Sequence, residues 1–213
     1  SHFLKLVEQQ KSAIAGLYST SKQANQEALR EAQNSISALE TQIKMIGGAV
    51  PALYENAQKE LSKARREGVD GLVSQYEKDY VGKLQSSSGE ENEALLEGMK
   101  SRIQSDSEFG GRYDDTYFEQ LEERIRNEKR TYDEMVSAAN SYENARSNLT
   151  RALIANDYQK VADSARDLNG SYSKYSSAKS AIESSPDYKN LWSQYAERDI
   201  KSKPKKDESA INR

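Results

Sequence analysis

The chain has 213 residues, 35% hydrophobic and 31% charged, and 31 basic against 34 acidic side chains leave a net charge of −3. That balance argues against nucleic acid as a general partner, and the absence of cysteine removes disulfides, thiol chemistry and Cys-ligated metal together. No run approaches the roughly eighteen apolar residues of a membrane span, so membrane attachment is expected only through an anchor or signal segment upstream of Ser1.

From Phe3 to Ile46 the residues Phe3, Leu6, Val7, Ala13, Ile14, Leu17, Ala24, Ala28, Ala32, Ile36, Leu39, Ile43 and Ile46 recur at helical spacing, which predicts one long helix. Its seam thins to Ala and Ser in the middle, a composition that permits close helix approach. Gly47-Gly48 reads as its C-cap and Pro51 as the first turn of the next helix. That second helix is expected from about Ala49 to Gln85. Leu53, Ala57, Leu61, Val69, Leu72, Val73, Tyr76 and Tyr80 face inward, and Gly68 and Gly71 weaken or kink it. Ser86 to Gly89 is a turn, with Ser88 and Glu91 at capping-box spacing. A shorter helix follows to about Gln104, with Leu95, Leu96, Met99 and Ile103 inward.

Tyr113 to Ala155 reads as a single helix of about forty residues, roughly 60 Å long at 1.5 Å per residue. Its apolar stripe is Tyr117, Leu121, Ile125, Tyr132, Met135, Val136, Ala139, Tyr142, Leu149, Ala152 and Leu153. The charged residues between them, Glu128 included, read as a solvated face. Thr116 and Glu119 have capping-box spacing, and Gly110-Gly111 marks the break upstream. Asn156-Asp157 ends this helix, with Asp157 a good N-cap for the next. Tyr158, Val161, Ala165, Leu168, Tyr172, Tyr175 and Ile182 give a heptad-like, coiled-coil seam. Ser185-Pro186 opens a last short helix carrying Leu191, Trp192 and Tyr195, and Lys201 to Arg213 reads as a disordered tail. The expected fold is therefore all-α: an elongated antiparallel helical bundle with two long helices of about forty residues and a helical C-terminal extension. The expected divisions are 1–155 for the bundle, 156–200 for the extension and 201–213 for the tail.

The run Gly47-Gly48-Ala49-Val50-Pro51-Ala52-Leu53 after a long helix resembles the Ile-Pro-x-Leu entry of the LemA family. Phe118-Glu119-Gln120-Leu121-Glu122-Glu123-Arg124-Ile125 and Tyr132-Asp133-Glu134-Met135-Val136 are similar to that family's Leu-Glu-rich helix and its Tyr-Asn-x-x-Val segment. Asp133 stands where the family has Asn, Ala139 where it has a second Tyr, and residues 156–213 lie outside the resemblance. The resemblance implies an antiparallel bundle held outside the cytoplasm by an N-terminal anchor, and it supplies no catalytic residue.

His2 is the only histidine, so histidine triads and Glu-x-x-His metal motifs have no place here. Asp106, Glu108, Asp114 and Asp115 are candidates for a divalent cation, but their spacing matches no EF-hand and reads more simply as an acidic surface loop. No cofactor, metal or catalytic residue is assigned. Thirteen tyrosines mostly follow the inward stripes and fill a narrow core. Tyr113, Tyr188, Trp192 and Tyr195, near helix ends or on the last short helix, are the candidate partner-binding residues. The functional expectation is a non-enzymatic scaffold working by protein–protein contact, membrane-anchored and extracytoplasmic. A pairing of two copies stays open because one seam can close within a chain or between two. The alternatives are an extracytoplasmic sensor binding a small ligand between helices, and, for location, the cytoplasm.

Overall fold

The computed structural model describes residues 2–19, 26–86 and 89–206. Every regular element among them is helical: α1 (His2–Ser19), α2 (Gln26–Gly47), α3 (Pro51–Gln85), α4 (Gly89–Gln104), α5 (Asp115–Ile154), α6 (Tyr158–Glu183), a π-helical turn (Tyr188–Trp192) and α7 (Ser193–Asp199). None of these helices is long and apolar enough to cross a membrane. The chain divides into two compact units between Glu122 and Glu123.

In the first unit α1 turns Phe3, Leu6, Val7, Gln10, Ile14 and Tyr18 inward. It packs against both α2 and α3. A helix cannot pack on its own continuation, so the single rod expected over 3–46 is two helices. Residues 20–25 between them, Ala24 among them, lie outside the described residues, as does the Ala28 side chain. Seven of the eight inward positions expected in α3 are buried, from Ala57 to Tyr80, while Leu53 in its first turn stays 45% exposed. The helix runs unbroken through Gly68 and Gly71. The Tyr18 ring lies against the backbone of Gly68, where a Cβ would collide with it. The glycine is there for a close approach rather than for a kink.

The end of α2 also differs from expectation. No glycine among the described residues has positive φ, so Gly47-Gly48 forms no left-handed cap. The Gly48 N–H donates to the Lys44 carbonyl (3.1 Å), Ala49 to Ile46 (3.2 Å) and Val50 to Gly47 (3.2 Å), and Pro51 opens α3 as its first residue. Gly47 itself is covered by the Tyr54 ring. α4 packs on α3 and buries Leu96, Met99 and Ile103, each worth roughly 1.5–3 kcal/mol of apolar burial. Ser88 and its expected capping box lie outside the described residues. Asp114, rather than Thr116, caps α5, because its Oδ1 accepts the Tyr117 N–H at 2.9 Å.

In the second unit α5 buries Ile125, Tyr132, Met135, Ala138, Ala139, Tyr142, Ala145, Leu149 and Ala152. Tyr142, Ala145 and Leu149 form one cluster with Leu168 of α6, and Val161, Ala165 and Tyr172 pack against it. This packing explains why the division falls at 122/123 instead of 155: the later turns of α5 share their core with the elements that follow. Asn156 makes the turn with φ 55°, a left-handed conformation that Asn tolerates. Asp157 caps α6 as expected, accepting the Lys160 N–H at 3.3 Å. Tyr158, placed inward by its spacing, is 81% exposed. The π turn closes with the Ser193 N–H donating to the Tyr188 carbonyl, five residues back. Beyond α7 the chain lies on the unit rather than away from it. Pro204 is buried, and the Tyr142 hydroxyl donates to the Lys205 carbonyl at 2.6 Å. Of the stretch expected as a disordered tail, 201–206 is thus placed, and 207–213 lies outside the described residues.

Candidate functional site

The four aromatics singled out in the sequence fall into two kinds. Trp192 is wholly buried. Its ring stacks on Tyr132 at 5.1 Å between centroids, and its Nε1–H donates to Glu128 Oε2 at 2.8 Å. A side chain in that position holds the C-terminal segment to α5 and presents nothing to a partner, so the contact role expected of it is not supported by its position. Tyr113, Tyr188 and Tyr195 are each half-buried. The Tyr113 hydroxyl donates to Asp70 Oδ1 at 3.3 Å and its ring meets Tyr117 edge-on at 4.8 Å, all within the first unit. In the second unit Tyr188 lies in the π turn and Tyr195 in α7, where the Arg198 guanidinium sits 5.0 Å from the Tyr195 ring centre. Burial raises the phenol pKa of both Tyr113 and Tyr188.

Around Trp192 is a polar cluster that the sequence reading missed. Glu128 accepts from Trp192 and lies 3.7 Å from the Arg124 Nε, while Arg124 donates to Asp187 at 3.0 Å. Burial, then the hydrogen bond shared with Asp187, pushes the Glu128 carboxyl up to about 7, against a smaller opposing effect of Trp192. One helical turn on from Glu128, the Tyr132 hydroxyl donates a hydrogen bond to Asp199. Burial and that carboxylate raise Tyr132, and Arg198 beside Asp199 holds the Asp199 carboxyl low. A signal was present in the sequence: the step of three from Ile125 to Glu128 and of four to Tyr132 puts Glu128 on the buried seam, not on the solvated face.

The same chemistry recurs in the first unit. Tyr18 donates to Asp106 at 2.7 Å and Tyr76 to Glu122 at 2.6 Å. Each of these ties joins segments far apart in the chain, and each tyrosine is raised mainly by burial. The four carboxylates considered for a cation are likewise engaged. Asp106 Oδ1 accepts from Glu108 and Phe109 N–H, Glu108 accepts from Ser62 at 2.6 Å, Asp114 caps α5, and Asp115 meets Lys100 at 3.0 Å. Among the described residues no group of three or more acidic or histidine side chains is placed to hold a metal.

Three surface features remain among the described residues. A hollow of about 330 Å³, open to solvent, is lined by Leu4, Lys5, Glu8 and Gln9 of α1. A cleft of about 130 Å³ lies between Tyr142, Leu168, Tyr172 and the returning Lys205-Lys206, with Asn169 and Ser173 at its rim. Exposed large hydrophobics are not scattered. Leu4 apart, those among the described residues are Met45, Ile46, Val50 and Leu53 at the α2–α3 turn, and Leu153, Ile154 and Tyr158 at the α5–α6 turn. No protein-family model matches the chain, and no curated protein or solved structure matches it. The LemA-like reading accordingly rests on the sequence segments quoted above.

Proposed function

We propose that this chain is a non-enzymatic helical scaffold that acts through protein contacts. In this reading it is LemA-like, an elongated antiparallel bundle held outside the cytoplasm by an N-terminal anchor. The observation that carries the contact role is the C-terminal segment. Trp192 and Tyr132 fasten it to α5, and Tyr188 and Tyr195 sit half-exposed on the segment so fixed. Rigid aromatic side chains on a pre-fastened support lose little freedom on binding, which is how contact anchors gain affinity. The polar groups best placed for chemistry are already committed to ties that fix the protein's own segments.

The test is site-specific photo-crosslinking in cells, with the photoreactive residue at Tyr188 or Tyr195 and, as control, at exposed Lys174. A discrete adduct from the aromatic positions and none from Lys174 is the expected result. Equal labelling at all three, or a purified protein that turns over a substrate at a rate abolished by one polar substitution, overturns the proposal. The sensor reading draws on the cleft at Tyr142 and Tyr172. At about 130 Å³ it is smaller than the roughly 300 Å³ at which small-molecule pockets begin, and the hollow of about 330 Å³ at Leu4, Lys5, Glu8 and Gln9 lies open to solvent on one face of α1 instead of enclosed between helices. A thermal-shift screen in which no metabolite or ion raises the melting temperature removes that reading.

A further inference from the structure

The α2–α3 turn carries an inference that is independent of the C-terminal contact face. From Met45 to Tyr54 the chain reads Met-Ile-Gly-Gly-Ala-Val-Pro-Ala-Leu-Tyr, ten residues with no charge and no hydrogen-bonding side chain other than the Tyr54 hydroxyl. In a soluble core such a run would be buried. Here Met45 is 77% exposed, Ile46 39%, Val50 46% and Leu53 45%.

The backbone of the turn is partly closed as well. The N–H groups of Gly48, Ala49, Val50 and Tyr54 are bonded within the turn and Pro51 has none to satisfy, which leaves those of Ala52 and Leu53 at the uncapped start of α3. Four of the six amide donors from Gly48 to Tyr54 are thus satisfied internally, which lowers the cost of meeting an apolar medium, and the other two are met at headgroup level by water or lipid oxygens. The α5–α6 turn serves as an internal comparison. It also exposes large hydrophobics, but Asn156 and Asp157 occupy its apex, which keeps it wet.

We infer that the α2–α3 turn inserts into the interface of an electroneutral lipid bilayer. Charge selects this occupant. The first charges on either side, Lys44 and Glu55, are of opposite sign and cancel, so nothing in the tip recognises an anionic surface or a charged partner. Area disfavours a second copy: four partly exposed side chains offer roughly 300–400 Å², about half of the ~800 Å² per partner in a stable interface. A chain reversal between two helices presents these side chains outward as a wedge, a shape suited to lipid rather than to the flat matching face of a dimer. The half-buried Tyr54, with its ring on Gly47, stands at the base of the wedge, where an amphipathic ring meets the headgroup level.

The experiment is flotation of the full chain with phosphatidylcholine vesicles at low and high salt, with analytical ultracentrifugation alongside. Wild-type protein is expected to float equally at both salts, since no ionic contact is screened. The double variant Met45→Asp, Val50→Asp changes two exposed side chains, and its fold is checked by circular dichroism. It is expected to reduce the floated fraction at least tenfold, while Ile154→Asp leaves it unchanged. Absence of wild-type flotation, retention of flotation by the double variant, or flotation abolished by salt overturns the inference. So does a wild-type dimer that the double variant turns into monomer, which would make the tip a self-association surface. None of these outcomes bears on crosslinking at Tyr188 or Tyr195, so the two proposals fail separately.

Discussion

Raising the pH from about 5 to about 8 should loosen the segment that Trp192 fastens. Glu128 is the cause. Its carboxyl, ordinarily near 4.5, is pushed up to about 7 by burial and by the neighbouring Asp187. Between those values the folded protein holds a proton on Glu128 that the unfolded chain has released. The folded state then binds more protons, so stability falls as pH rises; the contribution is complete below about 4.5 and is lost through about 7. The gap corresponds to about 3 kcal/mol. Arg124, half-exposed and 3.7 Å away, and the water around it screen the charge, which reduces the expected loss to roughly 1–2 kcal/mol. The chain is well suited to the measurement. Trp192 is its only tryptophan, and with one histidine and no cysteine few other groups titrate in this window. Urea unfolding followed by Trp192 emission should show a lower midpoint at about pH 8 than at about pH 5. Glu128→Gln keeps an acceptor for the indole N–H and removes the titration, so its midpoint should be flat. A fall that persists in Glu128→Gln, or a midpoint that rises with pH, refutes the reasoning.

Two further predictions concern the first unit. Gln10 is completely buried with neither amide atom hydrogen-bonded, so Gln10→Leu should stabilise by about 1–2 kcal/mol, read as a rise in melting temperature. The two glycines of α3 should respond in opposite directions. Gly68→Ala drives a methyl into the Tyr18 ring and should destabilise by about 1–3 kcal/mol. Gly71→Ala has open space around it and should stabilise by roughly 0.5–1 kcal/mol, since alanine loses less backbone freedom in a helix. Equal effects at the two sites in urea denaturation would contradict the packing described.

Much of the fold was legible because helical periodicity is a local property. The α3 stripe from Ala57 to Tyr80 and most of the α5 stripe were read correctly from spacing. Periodicity says nothing about where a chain reverses, however. The stretch 3–46 keeps one phase across its Ala- and Ser-rich middle, and nothing in that phase reveals that α1 and α2 pack on each other. Hydrophobicity alone also misassigned individual positions. Phe118 was passed over for Tyr117, although Phe118 is the buried ring, packed at 4.8 Å between centroids and tilted 53° against Tyr76. Glu128 was assigned to solvent because it is charged, and Leu53, Leu153 and Tyr158 were assigned to the core because they are not. Each of these errors falls at a buried polar tie or an exposed turn, where local composition and three-dimensional surroundings disagree.

The π turn from Tyr188 to Trp192 has a consequence for how this chain tolerates insertion and deletion. A π turn accommodates one residue more than an α-helical turn, so it absorbs an added residue that would otherwise rotate everything downstream by about 100°. With the extra residue taken up before Trp192, α7 follows with Ala196 inward and Tyr195 half-exposed. Deleting a single residue here, at Lys189 for example, would restore ordinary helical pitch while Trp192 and Ala196, four residues apart, stay on one inward face. A relative with a one-residue gap at this point would therefore keep the same aromatic face on the same scaffold, whereas a gap inside α7 would turn that face away.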